Sequence, residues 1–189
     1  ETAYEIRDIA EIMVGSEDLV PNEGLAYDKV VSALREKPTM TSEEFGVFLV
    51  DGYRKWYEDA VPYATLSAIR LSAISDIAAS VTRLADDLTK AIKVEKFKNE
   101  IHKSRTECLE FAPGQGKHGI DLCRLLERLG RTSDKEVSAD AMITKDLMKS
   151  CVLKSFAGKL RGDKYGASGL AIYFPHSGIV FQADLDHDG

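Results

Sequence analysis

The sequence predicts an α/β sandwich. Short apolar, strand-like segments lie at the start, middle and end of the chain, and long stretches of helical period separate them. With 44% hydrophobic residues over 189 positions, there is enough apolar material for a substantial core.

Thr2-Ala3-Tyr4-Glu5 has a capping-box pattern, and Ala3, Ile6, Ile9 and Ala10 follow at helical spacing. Ile12-Met13-Val14-Gly15 reads as a buried strand ending at the polar Ser16-Glu17-Asp18. A loop with Pro21, Asn22 and Gly24 comes next. Helical patterns cover about 25–35 and 42–57, the second capped by Thr41 or Ser42 ahead of Glu43 and Glu44. Residues 63–71 alternate as a strand does. From Ile74 to about Glu110 the period is helical, with a stripe of Ile77, Val81, Leu84, Leu88, Ala91 and Ile92. Pro113-Gly114-Gln115-Gly116 ends that block. Shorter amphipathic helices are predicted over 121–129 and 138–149, and strands over 152–158 and 169–174, where Pro175 stops the last. The first strand arrives before any partner, and four strands make a small sheet for so much helix. The chain therefore reads as part of a larger fold.

The formal charge is −6, with Lys and Arg scattered among acids. A nucleic-acid groove needs a basic stripe, so no nucleic-acid partner is expected. No apolar run has the length of a membrane span, so no membrane partner is expected either. Cys108, Cys123 and Cys151 are odd in number and widely spaced. They form neither a disulfide framework nor a zinc-type pair, and read as small apolar side chains. Tyr53-Arg54-Lys55-Trp56-Tyr57 could offer a stacking surface, but Phe45, Phe48, Leu49 and Trp56 share one helical face and read as core.

Four stretches, taken in order, resemble the clostripain family of cysteine peptidases, within the caspase-like superfamily. They are 1–10 running into Met13 to Glu17 and Pro21 to Gly24; Ala64 to Ile69; Ser104-Arg105 through Gly119-Ile120-Asp121-Leu122; and Gly169 to Pro175. The resemblance implies a caspase-like three-layer α/β/α sandwich, of which this chain supplies the later strands and most surrounding helices. Residues 1–189 would then be the post-nucleophile, C-terminal part of a single peptidase domain. In that family a strand-ending His-Gly and a later Asp-x-Cys carry the chemistry, and neither stands in the right place here. His118-Gly119 follows a Pro-Gly loop rather than a strand, and Cys123, five residues on, does not share its helical face. His102 and His176 have no cysteine or ordered acid nearby in sequence, and read as solvated.

The implied function is thus an endopeptidase cleaving after Arg, and sometimes Lys, through a thiol acyl-enzyme. Nucleophile and base would come from sequence upstream, on an associated N-terminal chain, as family members mature by an internal cut. This chain alone would be inactive. Its contribution would be the substrate site: Glu23 first, as a carboxylate for a guanidinium, then Ser16, Glu17 and Gly24. A solvated turn acid is the competing reading of Glu23. The C-terminal Asp184, Asp186 and Asp188, followed by Gly189, match the start of an EF-hand-type loop, so calcium joins the expectations although the chemistry needs no cofactor. A plain acidic turn is the alternative. Clostripain-like peptidases are commonly secreted by bacteria, which sets the expected location. A catalytically dead homologue acting as a binding or regulatory subunit, and a helical calcium-binding module, are the rival functions.

Overall fold

The computed structural model describes residues 2–111, 118–162 and 166–176. Its elements run α1 (Thr2–Glu5), β1 (Ile12–Gly15), α2 (Tyr27–Glu36), α3 (Ser42–Tyr57), β2 (Thr65–Arg70), α4 (Ile74–Ala91), α5 (Glu95–Thr106), β3 (Gly119–Asp121), α6 (Leu122–Leu129), α7 (Lys135–Cys151), β4 (Val152–Ala157) and β5 (Ala171–Tyr173). A short 3-10 turn, Leu71–Ala73, joins β2 to α4.

Strand β2 is central. It pairs antiparallel with β1 on one side and with β4 on the other, giving the order β1-β2-β4. Buried on both faces, it alternates between two cores. Ala64, Leu66 and Ala68 pack with Val50, Tyr53, Tyr57 and Phe156 under α3. Ile69 and Leu71 join the larger core, built from α4, α6 and α7 on the other face. The result is the expected three-layer α/β/α sandwich.

Helix α3 occupies the predicted span, and its start explains why. The Thr41 side chain accepts from the Glu44 N–H, while Glu44 reaches back to the Thr41 N–H. Its buried face differs from the expected one. Gly46, Val50, Tyr53 and Tyr57 point inward, and Trp56 is 46% exposed, so Trp56 is not core. Gly46 decides the rotation of the helix. A Cβ there would lie 3.0 Å from Ile12 Cγ2 and 3.3 Å from Ala68 Cβ, so the helix sits close on the sheet through its bare backbone.

Two further expectations need correction. The helical block from Ile74 is two helices, because Val94 adopts an extended conformation and Ile92 is left outside the stripe at 46% exposure. Ile77, Leu84 and Ala91 remain buried. The strand near the C-terminus does not join the main sheet. It pairs antiparallel with β3, a three-residue strand outside the strands predicted from sequence, to form a separate two-stranded sheet. Cys151 is the last residue of α7, directly before β4.

Candidate functional site

The chain leaves β1 at Ser16, and buried hydroxyls fix its direction. Ser16 Oγ lies 2.8 Å from Thr65 Oγ1 on β2 and donates to the Asp18 carbonyl at 2.8 Å. Thr65 Oγ1 also accepts from the Glu17 and Asp18 N–H groups at 3.2 and 3.3 Å. The Asp18 carboxylate accepts from Arg161 Nε at 2.6 Å, anchoring this bend to the segment after β4. With the backbone so held, the Glu17 side chain turns towards β3.

There it meets Asp121, the last residue of β3 and the N-cap of α6. Asp121 Oδ1 accepts from the Arg124 N–H at 2.6 Å, and Oδ2 accepts from the Ser168 N–H and hydroxyl at 2.6 and 2.8 Å. Glu17 Oε2 accepts from the Gly169 N–H at 2.8 Å. Its Oε1 is sealed from solvent with no N–H or O–H donor facing it, which fits an oxygen that carries a proton and donates it to Asp121. Burial, and then the negative charge of Asp121, push the Glu17 carboxyl up to about 9. Burial raises Asp121 as well, against the lowering effect of its hydrogen bonds. Two carboxyl groups in contact cannot both ionise cheaply in a dry site, so the pair holds one proton near neutral pH, on Glu17.

Gly169 makes this approach feasible. It has φ +126°, a region closed to side chains, and a Cβ would stand 3.1 Å from both Ser67 Cβ and Val152 Cγ1. Its carbonyl accepts from Ser67 Oγ at 2.8 Å, so residues 168–170 tie the second sheet to the first. Between the two sheets opens a cavity of about 460 Å³, within the roughly 300–1,000 Å³ usual for ligand sites. Ile6, Met13, Ser16 and Glu17 line it together with Gly169 and Tyr173.

Ser16 and Glu17 thus share this cavity, whereas Glu23 and Gly24 do not line it. Those two residues belong to the 21–24 turn, closed by a Gly24 N–H to Pro21 carbonyl bond of 3.0 Å, with Gly24 at φ +64°. The Tyr57 hydroxyl donates to the Gly24 carbonyl at 2.9 Å, and burial, then the charge of exposed Glu23, raises the Tyr57 phenol. Asp184, Asp186 and Asp188 lie outside the described residues.

Burial pushes up all three thiols, Cys151 to about 11, although Arg128 and Arg105 oppose the effect at Cys108. That is the opposite direction from an activated nucleophile, which needs a stabilised thiolate. Cys108 and Cys151 donate to the backbone carbonyls of Ser104 and Arg70. His118 is held elsewhere, its Nδ1 lying 2.6 Å from Glu110 Oε1.

Comparison with known proteins gives this arrangement a context. The model of the clostripain family of C11 peptidases matches residues 1–183. The chain belongs to the clostripain family. Among solved structures it is similar to a Bacteroides fragilis cysteine protease, at 14% identity and a TM-score of 0.62. That match covers 98% of this chain and 77% of the other. It is also similar to a secreted C11 cysteine protease from Bacteroides thetaiotaomicron, solved with an irreversible peptide inhibitor, at 17% identity and a TM-score of 0.60. Here 92% of this chain matches 48% of that one. No match is found among curated proteins. The fold is thus that of clostripain-family cysteine proteases, and among the described residues no helix is long and apolar enough to cross a membrane.

Sequence reasoning missed Asp121, Ser168 and Gly169. Asp121 carried a signal, since an Asp directly before an amphipathic helix is a favoured N-cap. Its contact with Glu17 crosses the whole fold and has no local signature.

Proposed function

We propose that this chain forms the substrate-pocket portion of a cysteine endopeptidase that cleaves after basic residues. The observation that carries the reading is Glu17, which lines a cavity of about 460 Å³ beside the end of a strand and is backed by buried Asp121. A guanidinium reaching Glu17 would favour its ionised form and take a charge-assisted, bidentate bond in place of the shared proton. Glu23, on the turn beside Tyr57, is the second acid for this role. Among the described residues no strand pairs with the outer edge of β1. That edge suits the earlier strands of the sandwich, which would bring the catalytic Cys and His from residues outside those described. An acyl-enzyme then forms on that thiol, with the substrate peptide held extended.

Both inferred acids make the proposal testable by kinetics of the intact gene product on matched Arg, Lys and neutral peptide substrates. Glu17→Gln should lower kcat/KM for Arg substrates by roughly 10²-fold, about the 3 kcal/mol of a lost buried charge-assisted contact. It should leave turnover of neutral substrates little changed. Glu23→Ala tests the turn in the same way, and unchanged Arg preference in both variants would remove acid-directed specificity from this chain. The Bacteroides thetaiotaomicron relative is described as secreted, and export is the location proposed here on that likeness. Calcium binding by 184–188 is proposed as an accessory property, measured by saturable titration with the ion.

A further inference from the structure

Three side chains from three segments converge beside the small sheet. Glu110 follows α5 and bridges to Ile120, His118 immediately precedes β3, and His176 follows β5. One ligand-type atom from each lies within 4.8 Å of the other two. The His118 and His176 rings are 5.8 Å apart at 70°. We propose that Glu110, His118 and His176 form a binding site for a zinc-type divalent cation, with a fourth coordination position left open.

The donor set suits that class of ion. Two imidazoles and one carboxylate are borderline ligands that favour zinc and its transition-metal neighbours, whereas calcium and magnesium require oxygen shells. In a tetrahedral zinc site with bonds near 2.1 Å, ligand atoms stand roughly 3.3 Å apart. The widest separation here therefore needs to close by about 1.5 Å at most, and exposed His176 has the freedom to do so.

The supporting groups are already in place. Arg105, 5% exposed, donates through Nη2 to Glu110 Oε2 at 2.9 Å, leaving Oε1 directed at His118. The same guanidinium donates through Nε to the Phe174 carbonyl, two residues before His176. One buried side chain thus orients two of the three ligand-bearing segments, the role outer partners play around bound metals. His118 itself is the one non-glycine residue with positive φ among those described, at +40°, and its carbonyl accepts from the Phe174 N–H at 3.2 Å. A strained backbone held against the neighbouring strand is what a positioned ligand requires. The ion would also clamp the wall of the cavity described above. The His118 ring packs edge-on to Tyr173 at 6.5 Å, and Tyr173 and Gly119 both line that cavity.

The test is titration of chelator-treated protein with zinc by calorimetry, and with cobalt(II) by visible absorption. The expected result is one zinc per chain, unaffected by excess calcium, and cobalt bands of tetrahedral nitrogen–oxygen coordination without thiolate charge transfer. His176→Ala, an exposed and fold-neutral change, should weaken zinc by more than the roughly 10–100-fold that loss of a supporting partner costs. Glu110→Gln should do the same. Absence of saturable zinc binding, cobalt spectra dominated by thiolate, or full affinity in His176→Ala would each overturn the site. The readout is independent of peptidase activity, so failure here leaves the pocket proposal standing.

Discussion

Replacing Asp121 with Ala should cost about 3 kcal/mol of stability, lowering Tm by roughly 6–12 °C in a chain of this size. Three losses combine. The N–H of Arg124 loses its cap, worth about 1 kcal/mol. The Ser168 N–H and hydroxyl lose a charged acceptor, at about 1.5–3 kcal/mol for such a bond, partly offset by new access to water. Glu17 loses the group that takes its proton. Asp121→Asn keeps an acceptor for the cap but turns its amide N–H2 against the Ser168 N–H, and should cost less than Ala, about 2 kcal/mol. Urea midpoints of both variants check the pair; because Asn preserves side-chain volume, equal losses would place the whole effect on the carboxylate acceptors facing Ser168 and none on the cap.

The second large effect is a fall in stability with rising pH that resides in Glu17. The folded carboxyl titrates near 9 against an ordinary value of 4.5, so between these values the native state keeps a proton that the unfolded chain has released. Stability is then fully supported below about pH 4.5 and declines as pH rises towards 9, at up to about 1.4 kcal/mol per unit. From pH 6 to 8 the expected loss is at most about 3 kcal/mol from this group. The window avoids the thiols, whose raised values act with the same sign but above it. Glu17→Gln, uncharged throughout and still able to donate to Asp121, should flatten the slope and be more stable than the parent at pH 8. A parent whose stability is level from pH 6 to 8 would show that the pair does not hold its proton.

Local chemistry made much of the architecture legible. Residues 12–15 form a strand because an apolar run meets Ser16-Glu17-Asp18, and 42–57 form a helix because Thr41 and Glu44 close a capping box. Central β2 was recognisable because alternate residues feed two cores. The break at Ile92–Val94 was hidden, since neither Gly nor Pro marks it and both residues suit the apolar stripe. Strand β3 is three residues long and exists only because β5 and Glu110 pair with it. No local period reports a partner so distant. The same reason separates the site residues. Ser16 and Glu17 stood out because they leave a strand, whereas their partners Thr65, Asp121 and Gly169 are assembled by topology. His176 read as solvated, and exposed it is, but folding brings it to His118 and Glu110.

The function proposed for this fold is that of a thiol peptidase selective for basic residues, with its nucleophile outside the three cysteines described. Its most direct test treats the intact gene product with a thiol-reactive peptidyl-arginine probe and the matching peptidyl-aspartate probe, then maps the label by mass spectrometry. Rapid labelling by the arginine probe alone is expected, on a cysteine other than Cys108, Cys123 or Cys151, with slower labelling of Glu17→Gln. No labelling would favour a catalytically dead binding subunit, and labelling of Cys123 or equal labelling by both probes would rule out a basic-selective peptidase with its nucleophile elsewhere.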